Sequence, residues 1–251
     1  MQVDCIPFQD TGYFSKLICD YLEEKDELKP FFNRFPHIQN FEGQLKEKSE
    51  NFSSQNRKVL VDALRNQYEN LESTEITEEN IEKLLNSNTF TVVTGHQLNL
   101  FTGPLYFLYK IISTINLTER LKVEHPDYNF VPVYWMATED HDFDEINYFN
   151  FNGKKIQWNI EAKGAVGRLR TESLNEVFDV VSSQFGDTDH AKSLKTLFEK
   201  AYLGHTNLAD ATRYLADKLF GKYGLVIVDG DDKNLKQLLI PFIKKDIFDL
   251  S

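Results

Sequence analysis

The chain has 251 residues, 41% of them hydrophobic, and 28 Lys+Arg against 39 Asp+Glu give a formal net charge of -11. That balance supports a packed core and excludes global disorder, and it argues against a nucleic-acid partner, whose binders carry a basic face. No 18-residue run is uncharged and apolar, which excludes a helical membrane span, and two cysteines, Cys5 and Cys19, are too few for a disulfide scaffold or a thiolate zinc site. With no basic segment leading into an apolar one at the N-terminus, the expected setting is the cytoplasm.

Residues 1–88 read as a mostly helical region packing on a core. Tyr13, Phe14, Leu17, Ile18, Tyr21 and Leu22 recur at helical spacing. Pro30 and Pro36 bracket an aromatic turn with Phe31, Phe32 and Phe35, and Val59, Leu60, Ala63, Leu64 and Tyr68 mark a second helix. A third is expected to start at Thr77 as its cap, with Glu78 and Glu79 in the first turn.

The pattern changes at Asn88. The β-branched and aromatic run Thr89–Thr94 predicts a buried strand, followed by the loop Gly95-His96-Gln97 to Gly103-Pro104. A helix follows with Leu105, Leu108, Tyr109, Ile112 and Ile115 on one side, capped by Thr102 or Gly103. Tyr128–Trp135 is a second strand, so the order strand–helix–strand implies a βαβ unit in a parallel sheet. Pro132 inside that strand predicts a bulge or an edge, because proline cannot donate to the ladder. Residues 146–160 read as a hairpin turning at Asn152-Gly153. Helices are expected near 173–184, 188–202 and 207–222, then a short strand at Leu225–Val228 ending in Asp229-Gly230-Asp231-Asp232. Pro241 should kink or restart the last helix.

Chemistry is expected in the loops that leave the carboxyl ends of the strands, where parallel sheets bind ligands. In the first loop Gly95 permits a tight turn, and His96 can bind an anion, move a proton, or simply tie itself to backbone carbonyls. The spacing matches neither a Walker A loop nor a Gly-x-Gly-x-x-Gly fingerprint. The second loop follows Trp135 and packs Glu139, Asp140, His141, Asp142, Asp144 and Glu145 together. Close like charges need compensation, so metal binding, capture of an amine or sugar hydroxyls, and general base work all compete with a plain solvated loop. In the third, Asp229 either accepts from sugar hydroxyls or starts an ordinary turn. Arg168 is suited to an anion clamp or a surface salt bridge. Cys5 and Cys19 lack a nearby histidine and are expected to be inert, and His37, His125, His190 and His205 carry no assigned role.

At these loops the chain resembles the bacillithiol biosynthesis cysteine-adding enzymes. The resemblance rests on VVTGHQLNLFTGPLYFLYKIIS (92–113), VPVYWMATEDHDFDEINYF (131–149), VGRLR (166–170), GLVIVDGDD (224–232) and, more loosely, IPFQDTGYFSKLICDYL (6–22). It implies an α/β fold: a Rossmann-like parallel-sheet core over 89–251, similar to class I nucleotidyltransferases, with a helical N-terminal region and a hairpin insertion. Members are longer, so the chain is expected to be an N-terminal portion, inactive alone and lacking a coiled-coil arm.

The implied reaction joins the carboxyl of L-cysteine to the amine of glucosaminyl-malate in the bacterial cytosol. By position, Gly95, His96 and Gln97 would form the strand-end motif, with Phe101, Thr102 and Gly103 shaping its floor. Trp135, Glu139, Asp140, His141 and Asp142 would form the opposite wall, with His96 at the activated carboxyl and Glu139 or Asp140 at the amine. Arg168 would meet malate carboxylates. Adenylating relatives of the core carry His-x-Gly-His, whereas Thr94-Gly95-His96-Gln97 supplies one histidine, so the motif for ATP-Mg²⁺ is incomplete. Two other readings stay open: an ATP-dependent ligase for another carboxylate and amine, and a non-catalytic nucleotide- or sugar-binding module. A homodimer of the full-length protein is also left open.

Overall fold

The structure, a computed structural model, describes residues 4–249; Met1–Val3 and Leu250–Ser251 lie outside the described residues. The chain divides after Asn51 into two units.

In the first unit, helices α1 (Lys16–Leu22) and α2 (Phe41–Asn51) are joined by short 3-10 turns. Ser15 caps α1 by accepting from the Ile18 amide, so Tyr13 and Phe14 fall outside the helix that their spacing suggests. Tyr13, Leu17 and Leu22 are exposed, and the expected buried stripe does not form. The aromatic turn does: the Tyr21 ring lies 5.3 Å from Phe32 and 5.0 Å from Phe35.

The second unit holds the sheet. In chain order it contains α3 (Ser54–Tyr68), α4 (Glu75–Lys83), β1 (Thr89–His96), α5 (Tyr106–Glu124), β2 (Asn129–Met136) and the short α6 (Phe143–Ile146). The hairpin β3 (Tyr148–Phe151) and β4 (Lys154–Gln157) follows, then α7 (Leu174–Ser182), α8 (Asp189–Tyr202) and α9 (Leu208–Phe220). Strand β5 (Val226–Asp229), α10 (Lys233–Gln237) and α11 (Ile240–Phe248) complete it. β1, β2 and β5 form a parallel sheet in the order β1-β2-β5. Helix α5 packs on β1 and β2, while α3, α4 and α9 pack on β5. The hairpin turns through Asn152 (φ 49°) and Gly153 (φ 74°), the left-handed pair that this dipeptide predicts.

Pro132 sits in the central strand without a bulge, since the β1–β2 register is continuous. Pairing with β5 begins only at Val133, so the strand has a single ladder partner at the proline and is locally an edge. Pro241 lies in the first turn of α11 and marks a second start. Helix α4 begins three residues earlier than expected, capped by Thr74, whose hydroxyl accepts from the Thr77 amide. Thr77 is instead buried inside the helix, its hydroxyl donating to the Gly221 carbonyl at 3.2 Å.

The boundary after Asn51 places α3 and α4 with the sheet, although the sequence groups them with the helical region 1–88. Long side chains explain this. The Tyr68 hydroxyl accepts from the Ile227 amide at 2.8 Å, and Asn80 donates to the Gly224 carbonyl at 2.7 Å. Buried Arg57 donates to the carbonyls of Leu84 (2.9 Å), Thr89 (3.0 Å) and Ser87 (3.3 Å), fastening α3 to the entry of β1. Arg57→Met would strand those carbonyls and is expected to cost about 2–4 kcal/mol of stability in urea unfolding. An unchanged midpoint would show that the fastening is dispensable.

Candidate functional site

The strands end in step. The register pairs His96 with Met136 and Met136 with Asp229, so the last residues of β1, β2 and β5 form one row across the sheet. Every loop proposed from the sequence leaves from this carboxyl edge.

Strand β1 runs two residues beyond the predicted run, and Gly95 and His96 are strand residues. His96 is only 7% exposed, its ring centroid 5.1 Å from Tyr106 and 5.2 Å from Phe107. Its Nδ1 lies 2.9 Å from the Gln97 carbonyl oxygen. A carbonyl only accepts, so Nδ1 carries the proton and Nε2 a lone pair. Nε2 is buried without a partner, and burial holds the ring's pKa below its ordinary 6.5. His96 is therefore neutral and tied to backbone, which corrects the expectation of an anion-binding donor. Lys110 Nζ donates to the Gly95 carbonyl at 2.5 Å.

After Gln97 the chain passes through three successive residues of positive φ: Phe101 (53°), Thr102 (72°) and Gly103 (58°). Such backbone is strained outside glycine and persists only when its surroundings fix it. The Tyr202 hydroxyl accepts from the Phe101 amide at 2.8 Å, and the Phe101 ring packs against Phe149, Phe198 and Tyr202. At Gly103 a Cβ would lie 2.4 Å from Asn99 Cβ, so no other residue fits there. Helix α5 starts at Tyr106 with Leu105 as its cap and no side-chain hydrogen bond, not at Thr102 or Gly103 as expected.

The acidic loop does not form one wall. Asp140 turns toward β1: one oxygen accepts from the His141 and Asp142 amides, the other from Gln97 Nε2 at 3.0 Å. The same Gln97 nitrogen donates to Glu145 Oε2 at 2.6 Å. The Gln97 amide first, then the Asp142 N–H, hold the Asp140 carboxyl below its ordinary value. Glu139 and Trp135 instead crowd β5, where a Cβ on Gly230 would lie 2.7 Å from both Glu139 Oε2 and the Trp135 ring. His141 and Asp142 are exposed and contribute only backbone donors to Asp140. Among the described residues no group of three or more His, Cys, Asp or Glu side chains is placed to hold a metal ion.

At β5, Asp229 Oδ1 accepts from the Thr138 hydroxyl and, at 2.9 Å, from the Asp231 amide. Its other carboxylate oxygen lies 3.6 Å from buried Arg213 of α9. Its backbone carbonyl and amide both bond the Gln67 side chain of α3. The 166–168 turn docks on the acidic loop through Gly167 N to Thr138 O (2.9 Å) and Val166 N to Asp140 O (2.7 Å). That brings Arg168 to Asp231 at 2.6 Å, and Lys236 pairs with the same carboxylate. Burial raises the Asp231 carboxyl, but these two cations outweigh it and leave it below its ordinary value. Arg168 is thus the salt bridge of the two alternatives, and Asp229 is engaged by the chain itself rather than left for sugar hydroxyls.

Gln67, Thr138 and Arg213 also belong to this edge, beyond the residues that the loop motifs point to, and Glu145 and Asp231 join it from within the acidic runs. Glu145 was countable in the acidic run, but Gln67 and Arg213 sit in helices far from the loops with no local signal. The strand-end donor set does not fit a triphosphate. His96 gives its one proton to Gln97, Lys110 holds Gly95, and Arg168 and Lys236 are paired with Asp231.

A parallel three-stranded sheet flanked by helices, with its polar loops gathered at the carboxyl edge, defines a Rossmann-like α/β domain. Residues 1–251 match the family described as "Bacillithiol biosynthesis BshC, N-terminal Rossmann-like domain". The chain belongs to that family. It is 60% identical over 247 residues to a Flavobacterium johnsoniae protein named "Putative cysteine ligase BshC", covering 98% of this chain and 47% of that one. Proteins of the same name from Flavobacterium psychrophilum (60% over 248 residues, 98% and 47%) and Cytophaga hutchinsonii (40% over 247 residues, 98% and 45%) are also similar. The chain spans about half the length of the curated relatives it matches.

The neutral, buried His96 fixes a sign. Its folded pKa is depressed, so below its ordinary 6.5 the unfolded chain binds the extra proton and stability falls as pH drops. The loss of stability between pH 7 and 5 is expected to be smaller in His96→Gln than in the wild type when both are followed by urea unfolding. A parallel pH dependence in the two would contradict a buried neutral ring. Separately, Gly230→Ala must displace Trp135, so its fluorescence should shift, with a stability cost of about 1–3 kcal/mol. An unshifted spectrum would mean that the ring does not rest on Gly230.

Proposed function

We propose that this chain supplies the N-terminal half of a cytoplasmic bacterial ligase that joins the carboxyl of L-cysteine to the amine of glucosaminyl-malate. The observation that carries the reading is identity: a domain family described for bacillithiol biosynthesis covers the whole chain, and relatives named for cysteine ligation match it at 60%.

The geometry is compatible with that chemistry. An amine approaching the carboxyl edge meets Asp140, an ionised carboxylate that its hydrogen bonds hold in place. A carboxylate of lowered pKa is a weak base, so its part is to hold and orient the amine, while proximity to the carboxyl partner lowers the barrier. Glu139 faces the other way, toward Gly230 and Thr138, which favours Asp140 over Glu139 for this task. His96 acts through Gln97: its Nδ1–H fixes the Gln97 carbonyl, and the Gln97 side chain carries Asp140 and Glu145. It is a positioning residue in this reading.

The deciding assay is mass spectrometry of the full-length protein given L-cysteine and glucosaminyl-malate, with and without ATP-Mg²⁺. Bacillithiol is the expected product, and the arm that yields it identifies whether a nucleotide activates the carboxyl. A folded sample that yields none in either arm overturns the reading. Gln97→Ala in the same assay should lower kcat/KM for the amine substrate by about tenfold or more, with the KM for cysteine unchanged.

A further inference from the structure

Beside the strand-end row lies a cavity of about 810 Å³ between the Gln97–Tyr106 segment, the β3–β4 hairpin, α7 and α8. Its volume is in the range of small-ligand sites and far exceeds what a three-carbon amino acid fills. Its lining has two characters. One is aromatic: Phe149, Phe185 and Phe198 are half-buried, leaving ring surface on the cavity, with Phe101 behind them in contact with Phe149 and Phe198. The other is negative and lies at the Gln97 end, where Glu145 lines the cavity and Asp140 shares the same amide donor. Gln97 is neutral, so it orients these carboxylates without compensating their charge. Among the described residues no lysine or arginine pairs with either.

We propose that this cavity is the subsite for an amino sugar, with Glu145 as the residue that recognises its ammonium. Resting on the ligase reading above, it assigns the amine substrate to the hairpin cavity. The ammonium meets Glu145 and Asp140, and the apolar face of the sugar ring lies on the phenylalanines. A cysteine would fill only a corner of it. An apolar ligand would leave the two carboxylates without a cation.

Calorimetric titration of the full-length protein with glucosaminyl-malate, and with its N-acetylated form, tests this without requiring turnover. Glu145→Gln preserves shape and is expected to weaken binding of the free amine at least tenfold while leaving the weak binding of the N-acetylated form within about twofold. Lys155→Gln, on the opposite face of the hairpin from Phe149, should leave the affinity for both forms unchanged. Melting temperatures within a degree or two of the wild type confirm that either variant is folded. Equal affinity of wild type and Glu145→Gln for the free amine, equal losses for both ligands in Glu145→Gln, or no binding by the wild type overturns the subsite. If the wild type binds in the expected pattern yet makes no bacillithiol, the subsite stands and the ligase reading falls.

Discussion

The carboxyl edge is organised by one amide. Gln97 Nε2 gives a hydrogen bond to Asp140 on the loop after β2 and another to Glu145 on α6, two like charges that would otherwise separate. Its own position is fixed from behind by the His96 imidazole, which bonds the Gln97 carbonyl and is wedged between Tyr106 and Phe107. An amide is suited to this place. It offers two donors without charge, so the carboxylates keep their negative potential while losing their freedom to move apart. A lysine there would neutralise them, and an aliphatic residue would release them.

The strained segment from Phe101 to Gly103 carries that arrangement into the hairpin. Left-handed backbone at a phenylalanine and a threonine costs on the order of 1–3 kcal/mol per residue and has to be offset locally. The offset is visible in the Tyr202 hydroxyl on the Phe101 amide and in the rings of Phe149, Phe198 and Tyr202 around the Phe101 side chain. Those rings come from β3 and α8, so the hairpin and α8 are packed on the turn that follows Gln97. The two sides of the cavity are in this way one mechanical unit.

Much of this was legible in the sequence because the signals were local. Asn152-Gly153 specified its turn, and the β-branched run at Thr89–Thr94 specified its strand. The Gly95-His96-Gln97 and Glu139–Glu145 segments fell at strand ends, as parallel sheets require. What failed was everything set at a distance. Whether His96 is a donor or a buried neutral ring depends on Tyr106, Phe107 and the Gln97 carbonyl, and spacing says nothing about which nitrogen holds the proton. The acidic run reads as one cluster, yet the fold parts it: Asp140 goes to Gln97 while Glu139 goes to Gly230. Arg168 reads equally as an anion clamp or a surface salt bridge until Asp231 is brought to it by a contact between the 166–168 turn and Thr138. Thr77 looks like a helix cap because threonine often is one, but Thr74 takes the role and leaves Thr77 free to bond Gly221.

The parting of the acidic run also polarises the edge. At the β5 end the cations are gathered: Arg213 lies against Asp229, and Arg168 and Lys236 hold Asp231. These pairs link α9, the 166–168 turn and α10 to one strand terminus, and with every partner engaged they serve as structure. At the β1 end the carboxylates of Asp140 and Glu145 share a neutral donor, and Glu145 lines a cavity floored by aromatic rings. Charge that is compensated internally is screened from a ligand, whereas charge held by neutral dipoles in a partly enclosed space is not. The sheet edge therefore has a structural end and a receptive end. On the reading proposed above, a positively charged amine would arrive at the second of them, at Glu145 beside the cavity that the hairpin lines.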